Sequence, residues 1–239
     1  MTPSILLTLV LLLPFVASLV AAVLPSTARN SEAWLAGTVA VVGLGAMIWL
    51  FPHIANGGIV RQEIAWIPSL GLNLVLRLDG FSWLFGMLIT GVGLLVVLYA
   101  RYYMSPKDPV PRFFAFFLAF MGSMLGLVLS GNIIQLVIFW ELTSITSFLL
   151  IGYWFHLAQA RDGARMALTV TGLGGLCLLI GMLIIGHIVG SYDLDVVLVS
   201  GDQIRQHALY LPALLLVLLG ALTKSAQFPF HFWLPHAMA

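Results

Sequence analysis

The stretch IIQLVIFWELTSITSFLLIGYW, from Ile133 to Trp154, decides the fold class of this sequence. It is apolar along nearly its whole length, and it reaches the roughly 20 residues that an α-helix needs to cross a bilayer. Its one charged residue, Glu141, is the ninth of the stretch and would therefore lie near the middle of the membrane. The stretch predicts a transmembrane helix with a carboxyl group at depth.

Other polar side chains surround Glu141 on the predicted helix. Ser144 and Phe148 fall on the same face at helical spacing, with Thr143 and Ser147 beside them. Such a stripe suits a helix surface that faces a protein interior able to hold water. The alternative is a structural carboxyl, either neutral or paired with a helix from a partner protein.

The composition supports a membrane protein. Apolar residues make up 61% of the chain and charged residues only 8%, whereas soluble domains carry about 25% charged residues. A net charge of +1 gives no reason to expect nucleic acid as a partner. The lone Cys177 excludes an internal disulfide, a cysteine-ligated zinc site and an iron–sulfur cluster built by this chain. No GxGxxG, GxxxxGK[ST] or HExxH motif is present, so we expect neither a cofactor nor a metal.

Seven apolar segments are long enough, or nearly so, to span a bilayer. The predicted fold class is therefore all-α, a polytopic membrane helix bundle of about seven transmembrane helices. The first segment has no basic residue before it, so we expect a retained helix and not a signal peptide. Alternation and the turn residues Pro68 and Gly71 predict a small hairpin around residues 60–79. The segments cover residues 3–24, 33–51, 80–100, 113–129, 133–154, 166–189 and a run that begins near residue 208.

The distribution of Lys and Arg predicts the orientation of the bundle. With seven alternating crossings, six basic residues collect on one side and three on the other. The richer side is expected in the cytoplasm, which places the N-terminus and the hairpin outside the cell. The six are Arg29, Arg101, Lys107, Arg112, Arg161 and Arg165, and the three are Arg61, Arg77 and Arg205.

The last apolar segment holds a second buried charge, Lys224, and we predict that this helix is broken. Pro229 removes a backbone donor and clashes with the turn before it, and Pro235 follows. Interrupted helices occur at membrane depth where they line a cavity, and they recur at the ion sites of transporters. We therefore expect Lys224 to face a hydrated interior one turn before the break. The alternative is a lysine that extends to the headgroup region.

A charge at the centre of a bilayer costs roughly 2.5–3.5 kcal/mol on insertion scales, which indicates a function or a specific partner. Burial disfavours the charged forms of lysine and glutamate, whereas a nearby opposite charge favours them. A lysine whose partner approaches or withdraws can thus bind and release a proton. The sequence therefore predicts that Glu141 and Lys224 belong to a proton-translocating path. His231, His236 and Ser144 are candidate relay residues, and an interfacial role is the alternative for the two histidines.

Two motifs resemble those of a known family. The run FWELTS, from Phe139 to Ser144, with LLIGYW after it, is similar to the fifth helix of the antiporter-like membrane subunits. The run TKSAQFPFHFWLP, from Thr223 to Pro235, is similar to their broken seventh helix. The hairpin and LDGFS, which begins at Leu78, resemble the family's N-terminal region. The family includes large subunits of Mrp cation/proton antiporters and the proton-pumping subunits of respiratory complex I and membrane-bound hydrogenases.

The resemblance implies that Glu141 and Lys224 match the family's proton-carrying pair. It also implies a division into residues 1–112, with helices one to three and the hairpin, and residues 113–239, an incomplete first antiporter repeat with helices four to seven. The eighth helix and the second repeat have no counterpart, so the sequence looks like an N-terminal fragment. Complex I members often carry an Arg and an Asp early in helix six, where this chain reads TGLGG from Thr171. This difference favours the large A-type member of the Mrp Na+/H+ antiporters.

The expected function is that of one component of a multisubunit cation/proton antiporter, with Na+ as the expected cation and other membrane subunits as partners. Its expected place is the bacterial plasma membrane, as part of a multi-pass transporter and not as an enzyme. One alternative is a proton-pumping membrane subunit of a respiratory NADH:quinone oxidoreductase or hydrogenase complex, driven by redox chemistry in other subunits. A second alternative is a passive membrane scaffold in which the two charges only hold partners.

Overall fold

The computed structural model describes residues 2–25, 29–105 and 108–238. Lys107 and the side chain of Arg29, both counted in the orientation above, lie outside what is described. Nearly all of the described chain is helical, with one pair of strands. The elements are α1 (Pro3–Val23), α2 (Arg29–Ile54), β1 (Val60–Ile67), β2 (Leu72–Leu78), α3 (Gly80–Tyr103), α4 (Val110–Val128), α5 (Ile133–Ile151), α6 (Ala158–Val189), α7 (Leu194–Val199), α8 (Gly201–Gln206), α9 (Tyr210–Lys224) and α10 (Trp233–Ala237).

The predicted all-α membrane bundle is confirmed. Within the described ranges, the six helices α1 to α6 have the length and apolar composition to cross a membrane, and α9 is a shorter apolar helix. Helix α6 begins at Ala158 and not at the predicted residue 166, because the polar run that precedes the apolar segment is rich in good helix formers. Arg161 and Arg165 therefore lie on a helix and not in a loop.

The predicted hairpin is present as the neighbouring strands β1 and β2. Its turn is a short 3-10 helix, Pro68–Leu70, followed by Gly71 with a φ of 68°, a conformation that glycine adopts without steric cost. Directly after β2, Asp79 caps α3 by accepting a hydrogen bond from the backbone N–H of Ser82 at 2.8 Å, and the Ser82 side chain reaches back in return. The predicted position of the hairpin outside the cell stays a prediction.

The chain forms two compact units, of which the first comprises Met1–Gln62 and Leu76–Leu129. Within it α1 packs on α4, and α2 packs on α3. Ser18 Oγ in α1 donates to the Ala115 carbonyl of α4 at 2.7 Å. A methyl group at Gly122 of α4 would lie 3.0 Å from the ring of Phe15, so this glycine allows α1 to approach closely.

The second unit comprises Glu63–Val75 and Ser130–Ala239. Here α6 packs against α5, α9 and α10. The start of α5 is fixed by Asn132, whose Oδ1 accepts from the backbone N–H groups of Ile134 and Gln135 and whose Nδ2 donates to the Gly71 carbonyl. Gln135 Oε1 accepts from the backbone N–H of Val75 at 2.8 Å. These bonds set the rotation of α5, and with it the direction of the polar residues further along the helix.

Candidate functional site

The two predicted charges lie within the second unit, on helices that both pack against α6. Glu141 lies in the middle of α5, and Lys224 is the last residue of α9. Glu141 faces α6, and Lys224 faces α5. Both side chains therefore point into the interior of one helix group.

The ammonium of Lys224 is bound by α5. Its Nζ donates to Ser144 Oγ at 2.6 Å, to Thr143 Oγ1 at 2.8 Å and to the Trp140 carbonyl oxygen at 3.3 Å. Nζ also lies 5.6 Å from the centroid of the Trp140 ring, within the range of a cation–π interaction. Three acceptors match the three N–H donors of an ammonium group. Lys224 thus contacts a neighbouring helix and does not extend toward headgroups.

The two hydroxyls that bind Lys224 are themselves anchored. Thr143 Oγ1 donates to the Trp140 carbonyl at 2.7 Å, and Ser144 Oγ donates to the same carbonyl at 3.4 Å. Each hydroxyl therefore presents its oxygen lone pairs to the ammonium while its hydrogen points at the helix backbone. This arrangement stabilises a positively charged lysine without a carboxylate in direct contact.

The carboxyl of Glu141 lies against Gly175 of α6. Its Oε1 is buried and has no hydrogen-bond partner among the described residues. Within that same part of the chain, no hydrogen bond or ion pair joins Glu141 to Lys224, although the two charges interact through space. The pair is therefore assembled but not in contact, and a hydroxyl or a water must bridge it.

The predicted break of the seventh helix is confirmed. Regular helix ends at Lys224, a 3-10 turn follows at Phe230–Phe232, and α10 resumes at Trp233. The Phe228–Pro229 peptide bond is cis. The indole Nε1 of Trp233 donates to the Thr223 carbonyl at 3.0 Å, so a carbonyl at the end of α9 is satisfied by a side chain from beyond the break.

The histidines after the break do not join the pair. His231 is exposed, and its ring stacks on Phe228 with centroids 5.8 Å apart. His236 is also exposed, and its Nδ1 lies 2.8 Å from the Phe232 carbonyl oxygen. Of the described contacts, none links either ring to Glu141 or Lys224. The relay role predicted for them therefore stays a prediction, whereas Ser144 touches Lys224 directly. Within the described ranges, no three His, Cys, Asp or Glu side chains come together as a metal site.

The sequence did not single out three residues that the structure makes prominent. Thr143 binds the lysine as closely as Ser144 does, and Trp233 closes the end of α9. In the first unit, Glu32 is fully buried in the first turn of α2, and neither of its oxygens has a hydrogen-bond partner among the described residues. An acidic residue in the first helical turn is ordinary because of the helix dipole, so no signal in the sequence marked Glu32.

Two family models match this chain. One, described as "NADH:quinone oxidoreductase/Mrp antiporter, TM", matches residues 130–239. The other, described as "NADH-Ubiquinone oxidoreductase (complex I), chain 5 N-terminus", matches residues 66–114. The first match covers α5, α6 and α9, and hence both charged residues.

Individual proteins are similar over nearly the whole chain. The probable K(+)/H(+) antiporter A/B subunit of Rhizobium meliloti (strain 1021) is 65% identical over 98% of this chain and 23% of its own length. The Na(+)/H(+) antiporter A subunit of Alkalihalophilus pseudofirmus is 45% identical over 84% of this chain and 25% of its own length. A chain in the structure of the Mrp complex from Dietzia sp. DQ12-45-1b is 30% identical and superposes with a TM-score of 0.85, over 97% of this chain and 25% of that chain.

This chain spans about a quarter of the length of each of these proteins. The similarity includes the stretches that carry the buried glutamate and lysine, and the solved structure shares the helical architecture. The chain therefore belongs to the NADH:quinone oxidoreductase/Mrp antiporter family of membrane proteins, the family that its motifs resemble.

Proposed function

We propose that this chain acts within a multisubunit monovalent cation/proton antiporter and carries protons on Glu141 and Lys224. The observation that supports this most is the binding of the Lys224 ammonium by Thr143 and Ser144, on the helix that also carries Glu141. Two ionisable groups on packed helices, with hydroxyls between their helices and not lipid, have the composition of a proton relay.

The transfer follows a chain of hydrogen bonds. An N–H bond of the Lys224 ammonium breaks as an O–H bond forms on Ser144, and the original hydrogen of Ser144 passes to the Glu141 carboxylate, directly or through a water. The hydroxyl must first turn away from the Trp140 carbonyl. Lys224 and Glu141 are then both neutral, and the cycle is reset when Glu141 releases its proton and Lys224 takes up another. Because a carboxylate favours a charged lysine, the protonation states of the two groups are coupled.

The membrane potential supplies part of the driving force, since one elementary charge that crosses 100 mV is worth roughly 2.3 kcal/mol. Na+ is the cation expected from the sequence. The two relatives are named for different cations, K+ and Na+. The exchanged ion is therefore measured and not taken from either name.

The same proposal includes the context of the chain. Other membrane subunits are its partners, residues 113–239 supply the first helices of an antiporter repeat, and the N-terminus faces outward from a bacterial plasma membrane. A redox-driven pump of the NADH:quinone oxidoreductase type is the second candidate, because both family descriptions include that enzyme.

Inverted membrane vesicles that contain the full-length protein with its partner subunits test the proposal. A pH gradient is first formed by ATP hydrolysis, and a fluorescent dye then reports its dissipation on addition of Na+ or K+. We expect dissipation with wild type, none with Glu141→Ala and an intermediate rate with Glu141→Asp. The exposed Asp202 provides a control, Asp202→Ala, which should transport normally. Wild-type rates with Glu141→Ala would overturn the relay, and an exchange that requires oxidation of a respiratory substrate would favour the second candidate.

A further inference from the structure

Two adjacent glycines on α6, Gly174 and Gly175, face the helices that carry the charged pair. A methyl group at Gly175 would overlap the carboxyl of Glu141, and one at Gly174 would overlap the hydroxyl of Thr223, the neighbour of Lys224. We call the space at these two glycines the glycine notch. Any residue with a Cβ atom would need volume that α5 and α9 already occupy.

The notch is a local feature and not a property of the whole helix. A methyl group at Gly172, also on α6, would meet nothing within 4 Å in the described part of the chain. At Gly220 of α9, a methyl group would lie 2.9 Å from the carbonyl oxygen of Gly174. Small residues commonly let membrane helices approach in this way. At Gly175, however, the neighbour is a carboxyl group and not another helix backbone.

The described contacts indicate that shape, and not hydrogen bonding, holds this carboxyl. Oε1 of Glu141 is buried without a hydrogen-bond partner among the described residues. No donor group therefore fixes its direction, and the surfaces that it touches determine where it lies. An unsolvated carboxylate is costly in an apolar interior. Its position relative to the lysine and the hydroxyls thus affects when it accepts a proton.

We propose that Gly175 is a positioning residue for proton transfer, because its missing side chain lets the Glu141 carboxyl lie in the notch, beside the hydroxyls that hold Lys224. This inference rests on the proposed function. It assigns to Gly175 a role that a structural packing glycine would not have. A methyl group at this position displaces the carboxyl, and a misplacement of about 1 Å can slow a positioned reaction roughly 100-fold.

Four variants of the full-length protein, measured in the vesicle assay described above, test this role. Gly175→Ala should assemble with its partner subunits and lose transport by roughly tenfold or more. Gly172→Ala, the matched control, should transport like wild type. Glu141→Asp shortens the side chain by one methylene group and should transport at an intermediate rate. The double variant Gly175→Ala/Glu141→Asp should recover at least to that intermediate rate, because the shorter carboxyl no longer meets the added methyl group.

Each other outcome decides between the two ideas. Equal transport by Gly175→Ala and Gly172→Ala overturns the positioning role, as does a double variant that stays inactive although it assembles. Where Gly175→Ala fails to assemble, Gly175→Ala/Glu141→Ala is measured by co-purification. Restored assembly shows that the Glu141 side chain is the obstructed group, and continued failure overturns the inference. Wild-type transport by Glu141→Ala removes the proposed function itself, whatever the glycine variants do.

Discussion

The Nζ of Lys224 and the Oγ of Ser144 lie 2.6 Å apart, although 80 positions separate the two residues in the chain. Regular helix ends at Lys224, so the chain turns away directly after the charged residue. The side chain extends from the helix end toward α5 and gains three acceptors there. The break and the buried charge are thus parts of one arrangement, in which the end of α9 delivers an ammonium to the polar face of α5.

The first prediction concerns the hydroxyls that bind this ammonium. Ser144→Ala and Thr143→Val each remove one acceptor, and a hydrogen bond to a charged group is worth about 1.5–3 kcal/mol. We expect each variant to assemble and to transport more slowly than wild type, and the double variant to be slower than either. Transport in inverted vesicles measures the rates, and co-purification of the partner subunits measures assembly.

Thr146 supplies the matched control for these variants. It is a buried threonine on the same helix, and its hydroxyl donates to the carbonyls of Leu142 and Thr143 but does not contact the lysine. Thr146→Val should therefore transport normally. A loss with Thr146→Val as large as that with Thr143→Val would mean that any hydroxyl in α5 matters, and the specific binding of Lys224 would not explain the effect.

The second prediction concerns the cap of α3, where stability should depend on pH. Burial alone would raise the pKa of Asp79, but hydrogen bonds from the backbone of Ser82, from Arg77 and from the Ser82 hydroxyl outweigh it and hold the pKa below its ordinary value of 3.8. The carboxylate therefore stabilises the fold above its unfolded pKa, and this contribution is lost as pH falls through the lower folded pKa. Asp79→Asn should lower the melting temperature at about pH 7 and have progressively less effect below about pH 4.

A comparison with Ser82→Ala isolates the charge at this cap. That variant removes the reciprocal half of the capping box but no titrating group, so its destabilisation should not vary with pH. Thermal unfolding of the detergent-solubilised protein, followed across the pH range, measures both. A deficit of Asp79→Asn that stays constant from neutral to acid pH would contradict the prediction.

Much of the fold was predictable because its signals are local. An apolar run of about 20 residues marks a span wherever it occurs. The alternation of residues 72–78 and the turn at Pro68 marked the hairpin, and Pro229 marked the broken helix, since proline removes a donor in any context. Glu141 and Lys224 were found in the same way, as isolated charges in apolar runs.

The partners of the charged residues were not predictable from sequence. Whether Thr143 or Ser144 meets the lysine depends on how α9 approaches α5, which no local pattern encodes. The contact between Trp233 and Thr223 depends on the turn of the chain after Pro229. The role of Gly175 appears only when its neighbour is known, because the glycines of α6 look alike in the sequence.

The third prediction concerns orientation in the membrane. Asp162, near the start of α6, and Asp202, in α8 beyond the end of α6, both have exposed side chains. If the basic residues set the orientation, a cysteine at position 162 is labelled only from the cytoplasm and one at position 202 only from outside. Impermeant thiol reagents on intact cells and inverted vesicles, in a Cys177→Ser background, measure this. The reverse pattern would invert the proposed topology, and labelling of both from one side would contradict an odd number of crossings between them.

The last prediction concerns the closure of the broken helix by Trp233. Its indole N–H is bonded to the Thr223 carbonyl at 3.0 Å, one residue before Lys224. Trp233→Phe keeps an aromatic ring but removes the donor, which should destabilise the protein by about 0.5–1.5 kcal/mol. Because the carbonyl belongs to the residue next to Lys224, we also expect slower transport. Trp66→Phe makes the same substitution at an exposed hairpin residue and should change neither property. The melting temperature of the solubilised protein and the vesicle transport rate measure both effects, and identical results for the two variants would show that the indole donor does not hold the end of α9.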